Sequence, residues 1–136
     1  MIGILIVAHG TLGESLIQCA THVLGERPLY LAALDVTAQT QSNMLEKGRC
    51  LLEELNRGDG VLLLSDVYGA TPCNTMCRLL RPGSVEGIAG VNLPMLMRAI
   101  TYRTEPLNNL ISKAVTGGQE GVLYINSELC DATTGC

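Results

Sequence analysis

Residues 2 to 8, IGILIVA, are apolar throughout. A strand with one face in water alternates apolar and polar side chains, so an unbroken run of this length fits a strand covered on both faces. Val61 to Leu64 is a second such run, and Leu29 to Leu34 is a further short one. Strands covered on both faces belong to α/β domains, in which crossover helices do the covering.

The segments between these runs have the spacing such helices need. From Thr11, the residues Leu12, Leu16, Ile17, Ala20, Val23 and Leu24 recur at helical intervals until Gly25 and Pro28 stop them. A second helix fits Met44 to Asn56, with Glu46, Lys47, Glu53 and Glu54 on its solvated side. Thr71-Pro72 has the chemistry of an N-cap and first helical residue for a third, which runs to Leu80 before Arg81-Pro82-Gly83. Val85 to Val91 then reads as a strand and Pro94 to Tyr102 as a helix. Another helix starts at Pro106 and closes at Gly117-Gly118, and Gly121 to Ile125 reads as a last strand. The expected fold is α/β and doubly wound: a mostly parallel sheet with helices on both faces. A single domain covers residues 1–126, and residues 127–136 form an aperiodic, disordered tail.

Composition narrows the function classes. With 47% apolar and 16% charged residues in 136, the chain can bury one core and does not resemble a disordered chain. A net charge of -4, with no Lys/Arg cluster and only scattered tyrosines as aromatic residues, argues against nucleic acid as a partner. The first apolar run lacks a basic leader and is too short to span a bilayer, so the expected location is the cytoplasm, with no membrane insertion. Six cysteines are expected to be reduced, because a chain this apolar needs no disulfides to hold its core. Cys73 and Cys77 lie at C-x3-C spacing, which differs from the C-x2-C of zinc and redox motifs, and no metal site or cofactor is expected.

In an open parallel sheet, ligands bind beyond the carboxyl ends of the strands. His9, Asp35, Asp66 and Asn92 each follow one of the predicted strands. A buried histidine satisfied by hydrogen bonds is the bland reading of His9. Its neighbours Gly10 and Thr11 and the helix start behind them suit an anion instead. Imidazole is a nucleophile when one ring nitrogen carries the proton and the other presents a lone pair, and a carboxylate on the protonated nitrogen secures that tautomer. Asp66 is the first candidate for that carboxylate and Asp35 the second, with a turn or helix cap as the alternative for Asp66. Gly69, Ala70 and Thr71 form a small-residue turn into a helix whose N–H groups and hydroxyl suit phosphate; the turn lacks the lysine and glycine spacing of a P-loop. Cys73, in the first turn of that helix, is the rival nucleophile, although such a cysteine is more often a small core residue. His22 falls inside the first helix and reads as a plain helix residue.

IVAHGTLGESL at residues 6–16, LLLSDVYGATPCN at 62–74 and GVNLPML at 90–96 together resemble the IIA domain of the mannose family of bacterial sugar phosphotransferase systems. The resemblance runs in order to Asn126. It implies that His9 is phosphorylated on Nε2 by the histidine phosphocarrier protein and passes phosphate to a IIB partner, while Asp66 contacts Nδ1. It implies that Gly69, Ala70 and Thr71 offer donors to the phosphoryl group, and it places Asn92, Leu93 and Pro94 near the rim without a chemical role. It also implies a homodimer in which the last strand is exchanged between subunits and lies antiparallel at the sheet edge. As the chain carries no fused IIB domain, the expected acceptor is a separate protein. A regulatory binding module, whose phosphorylation state selects a partner without onward transfer to a transporter, is the alternative, and an enzyme using Cys73 is a third reading.

Overall fold

The computed structural model describes residues 1–37, 40–69 and 71–133, with only the backbone of residues 132 and 133. The elements alternate as expected. Strand β1 (Gly3–Ala8) leads to helix α1 (Leu12–Leu24), β2 (Leu31–Asp35) to α2 (Gln41–Leu55), β3 (Val61–Ser65) to α3 (Thr71–Leu79), and β4 (Val85–Ala89) to α4 (Leu93–Thr101). Helices α5 (Leu107–Glu120) and α6 (Ser127–Thr133) complete the order.

Among the described residues the sheet has four strands in the order β2-β1-β3-β4, all parallel. Strands β1 and β3, the two unbroken apolar runs, take the two central places and are buried at every position. Alternate side chains along them feed separate cores. Ile4 and Ile6 of β1, with Leu62 and Leu64 of β3, pack against α1, α4 and α5, whereas Leu5, Val7 and Leu63 pack against α2 and α3. The chain is therefore doubly wound, and the register places Ala8 opposite Asp35, and Val7 opposite Ser65, so the strand ends carrying the candidate polar residues line one edge.

Several expectations change. Gly117 and Gly118 do not end α5, which continues to Glu120. They are close-packing residues instead: a Cβ on Gly117 would lie 2.7 Å from the Arg98 Cβ, and one on Gly118 would lie 2.7 Å from the Met95 Cε. Their missing side chains let α4 and α5 approach, and this benefit outweighs glycine's poor helix propensity.

The expected last strand, Gly121 to Ile125, is absent from the sheet, so no antiparallel edge strand is present among the described residues. A strand forms only where its N–H and C=O groups meet a neighbour, and none of the described strands pairs with this segment. Val122, Leu123, Tyr124 and Ile125 are left 66% to 85% exposed.

Beyond it, Ser127–Thr133 forms a short helix where the sequence pattern suggests an aperiodic tail. Asn126 starts it, its side-chain oxygen accepting from the Leu129 N–H at 2.9 Å. Cys130 in this helix is disulfide-bonded, contrary to the expectation of reduced thiols, whereas Cys19, Cys50, Cys73 and Cys77 are free.

Strand β2 starts at Leu31, two residues later than its apolar run, because Tyr30 adopts φ +52° and breaks the extended backbone. A left-handed conformation costs a non-glycine residue roughly 1–2 kcal/mol. Arg103, buried between α4 and α5, offsets this. Its guanidinium donates to the carbonyls of Leu29 at 2.6 Å, Tyr30 at 2.7 Å and Ile2 at 2.9 Å, tying the starts of β1 and β2 together. Replacing Arg103 with Met is expected to lower the unfolding free energy by about 2–4 kcal/mol, because these carbonyls lose their donors together. Urea denaturation measures this, and a loss below about 1 kcal/mol would mean that water replaces the guanidinium.

Candidate functional site

Strand β1 ends at Ala8, and the chain turns through His9, Gly10 and Thr11 into α1. The turn is closed by the Leu12 N–H donating to the His9 carbonyl at 3.2 Å. Thr11 makes no side-chain capping bond, so the start of α1 keeps free donor capacity beside His9.

The neighbouring strand β3 ends at Ser65, and Asp66 stands next to His9. One oxygen, Asp66 Oδ2, lies 2.7 Å from the His9 ring Nδ1 and accepts the His9 backbone N–H at 3.1 Å. The other, Oδ1, accepts the Val67 N–H at 2.8 Å. Burial pushes this carboxyl up, but the hydrogen bonds from the His9 ring, the His9 backbone and Val67 together hold it below its ordinary value. It is therefore ionised at neutral pH.

An ionised carboxylate only accepts hydrogen bonds, so Nδ1 carries a proton. In the neutral ring, Nε2 is then the nitrogen with the free lone pair. The two side chains differ in access as this chemistry requires: the His9 side chain is 50% exposed and that of Asp66 9%. The pair thus combines a reachable imidazole with a shielded carboxylate.

Asp35, the other candidate partner, is held differently. Its Oδ1 accepts the Thr37 hydroxyl at 2.6 Å and the Thr37 N–H at 2.8 Å. The Thr37 hydroxyl first, then the Thr37 N–H, the Gly10 N–H and the charge of a protonated His9 keep this carboxyl below its usual range. Asp35 is thus an ionised neighbour of His9 whose carboxylate is held by Thr37.

Gly69 belongs to the connection that leaves β3 through Asp66, Val67 and Tyr68 and leads to Thr71. Gly69 has φ +82°, which turns the chain toward α3 at a position where a side chain would be strained. Helix α3 starts at Thr71 itself, one residue earlier than expected, and Thr71 is exposed. Ala70 lies outside the described residues.

Asn92, Leu93 and Pro94 stand where β4 gives way to α4. Asn92 is structural: its Oδ1 accepts the Met95 N–H at 2.9 Å as the N-cap, and its Nδ2 donates to the Gly118 carbonyl at 3.0 Å, joining α4 to α5. Leu93 packs against the core on the α1, α4 and α5 side, as does Met97, and Met95 is part of that core. Leu12, at the start of α1, and Tyr68, in the connection that carries Asp66, lie on the surface at 40% and 85% exposure.

Cys73 is a poor nucleophile here. It is buried at 3% exposure, whereas reactive thiols are reachable. Burial, followed by the adjacent Cys73, pushes the thiol of Cys77 above its ordinary value. His22 is exposed in the last turn of α1, as a plain helix residue would be.

Some features were not foreseen from sequence, among them the Thr37 clamp on Asp35 and the backbone N–H of His9 as a second donor to Asp66. The spacing Asp35-Val36-Thr37 is a recognisable local turn signal. The doubled bond to Asp66 spans 57 residues and has no local signature.

A family profile described as "PTS system fructose IIA component" matches residues 3–115. The mannose-specific EIIAB component of the phosphotransferase system of Escherichia coli (strain K12) is 34% identical over 130 residues, which cover 93% of this chain and 40% of that protein. The chain thus spans less than half the length of that relative. The crystal structure of phosphotransferase system component EIIA from Streptococcus agalactiae superimposes with a TM-score of 0.81 at 25% identity, covering 96% of this chain and all of the other. The transcriptional regulatory protein LevR of Bacillus subtilis (strain 168) is 26% identical over 100 residues, 73% of this chain and 11% of that protein.

Proposed function

This chain belongs to the IIA component family of the phosphotransferase system, and from that membership we propose that it is a phosphohistidine carrier with His9 as the phosphorylated residue. The observation that carries this reading is the 2.7 Å contact of Asp66 Oδ2 with Nδ1 of a half-exposed imidazole.

The donor is the histidine phosphocarrier protein, itself phosphorylated on a ring nitrogen. The His9 Nε2 lone pair forms a new N–P bond as the donor's N–P bond breaks, and the released electron pair returns to the donor ring. The Nδ1 proton stays on His9, where the ionised Asp66 stabilises the positive charge that develops on the ring. Gly69, Ala70 and Thr71, with the start of α3 behind them, supply donors for the phosphoryl oxygens. Asn92, Leu93 and Pro94 shape the rim through the packing of α4. Transfer onward to a separate IIB protein reverses these steps with a different partner ring, and no metal or cofactor enters the scheme.

Both exchanges are between proteins, so the reacting nitrogen has to stay at the surface. The exposed Leu12 and Tyr68 suit the docking face around it. Among the described residues no helix is long and apolar enough to cross a membrane, and the reading places the carrier in the cytoplasm with its soluble partners.

The reading also includes a homodimer in which residues 121–125 leave their own chain and pair antiparallel with the sheet edge of a second copy. Four consecutive exposed apolar side chains, Val122 to Ile125, are in keeping with this. Sedimentation at working concentration is expected to give a dimer, and replacing Leu123 and Ile125 together with Asp is expected to give monomers. A wild type that sediments as a monomer would remove this part of the reading.

The similarity to LevR favours a second reading, a regulatory module whose phosphorylation state selects a partner. The readings separate after phosphorylation. Incubation with phosphoenolpyruvate, enzyme I and the histidine phosphocarrier is expected to add one acid-labile phosphoryl group, read by intact mass. Loss of that group to a purified IIB protein supports the carrier; stable retention with every IIB protein tried favours the regulator. A well-folded protein that takes up no phosphate would count against both.

A further inference from the structure

His9 stands between two carboxylates that the sheet delivers from opposite sides. Strand β1 is flanked by β2 and β3, with Asp35 opposite Ala8 on one side and Asp66 following Ser65 on the other. Asp66 binds Nδ1 from the β3 side. The Asp35 carboxylate is fixed on the β2 side by Thr37 and lies in electrostatic reach of the Gly10 N–H and the His9 ring.

We propose that Asp35 is an electrostatic positioning residue whose fixed negative charge, on the side of His9 away from Asp66, raises the transfer potential of a phosphoryl group on Nε2. This rests on the phosphohistidine reading above.

The physical reason is a difference between two states of one site. Without phosphate, the His9 ring is neutral or singly positive, and a nearby carboxylate is tolerated or favourable. Phosphorylation at Nε2 adds an anionic group at the ring nitrogen that Asp66 does not hold, on a ring already within electrostatic reach of Asp35. Repulsion between like charges then destabilises the phosphorylated state relative to the free one. The N–P bond becomes easier to pass on, and less phosphate accumulates on this protein at equilibrium with its donor. Asp66 cannot take this role alone, because its bond to the Nδ1 proton offsets its own repulsion. Thr37 matters because its two bonds hold the carboxylate in one place beside His9, and a charge that moved farther from the ring would be screened more strongly.

Asp35→Asn isolates the charge, since the amide oxygen can still accept both Thr37 bonds. Asp35→Glu restores the charge with a different reach. Each protein is equilibrated with phosphorylated and unphosphorylated histidine phosphocarrier at a known ratio, and the phosphorylated fraction is read by intact mass. At low ionic strength the Asp35→Asn equilibrium constant is expected to shift about three- to tenfold toward phosphorylated His9. The shift is expected to shrink toward unity near 1 M salt, where the Debye length is about 3 Å. Asp35→Glu is expected to stay within about twofold of the wild type. The carrier's own salt dependence cancels in the ratio of variant to wild type, and a purely structural role would not produce a salt-dependent equilibrium.

An Asp35→Asn constant equal to that of a wild type that does phosphorylate, or shifted the opposite way, overturns the proposal and leaves the carrier reading intact. A wild type that takes up no phosphate on His9 overturns both.

Discussion

His9→Gln is expected to fold as the wild type does and to take up no phosphoryl group from the histidine phosphocarrier. The fold survives because the His9 side chain is half-exposed and belongs to neither core, so the exchange leaves no cavity. The glutamine amide can still donate to Asp66, which preserves the local hydrogen bond. Chemistry is lost because an amide has no ring nitrogen with a free lone pair at neutral pH. Intact mass after incubation with phosphoenolpyruvate, enzyme I and the carrier measures the outcome, with urea denaturation as the control for folding. Phosphate uptake retained by a folded His9→Gln protein would move the nucleophile elsewhere.

Asp66→Asn is expected to slow phosphorylation by about 10²–10³-fold while the protein remains folded. Hydrogen-bond polarity is the cause. An ionised Asp66 can only accept, so the proton sits on Nδ1 and the lone pair on Nε2; an asparagine NH₂ can donate to Nδ1, which moves the proton to Nε2 and blocks the attacking nitrogen. The amide also leaves the positive charge formed during attack unbalanced. Stopped-flow or quench measurement of single phosphoryl transfer from the carrier gives the rate, and an unchanged rate would remove Asp66 from the mechanism.

The same substitution has a signature in pH. The Asp66 carboxyl titrates below its ordinary range in the folded protein. Its contribution to stability is therefore present above the unfolded carboxylate value and is lost as pH falls through the lower folded value. The stability gap between wild type and Asp66→Asn should be widest near neutrality and close in acid, as followed by urea titration at stepped pH.

These expectations draw on a site that was half legible in sequence. That His9, Asp35 and Asp66 would gather at one edge followed from local pattern: each ends an apolar run, and a parallel sheet puts strand ends together. The sequence ranks Asp66 ahead of Asp35 as the partner of the histidine, and the resemblance implies its contact with Nδ1, but local pattern alone does not separate the two, because both flank β1 at nearly the same register. The choice is made by competition for the carboxylates. Thr37, two residues on, takes Asp35 Oδ1 through both its hydroxyl and its N–H, whereas Asp66 Oδ2 receives the His9 ring and backbone together.

Asn92 illustrates the converse. The resemblance implies a rim residue, and its helix-capping role was open to sequence reasoning, but its bond to Gly118 spans 26 residues and depends on how α4 meets α5. The same contact explains the Gly117-Gly118 pair, which reads locally as a stop and is packed as an interface. Arg103 had no signal at all. A lone arginine after a helix looks solvated until the starts of β1 and β2 converge on it.

What the sequence by itself determined is the alternation of strands and helices, the central position of the two unbroken apolar runs, and the edge on which the polar residues stand. All three arise from periodicity and burial, which neighbouring residues encode. Tertiary structure alone decided the second bond from the His9 backbone to Asp66, the Arg103 tie, the close contact of α4 with α5, and the lack of a strand partner for residues 121–125 among the described residues. Each depends on groups far apart in sequence finding or lacking a hydrogen-bond or packing partner, and no local pattern carries that information.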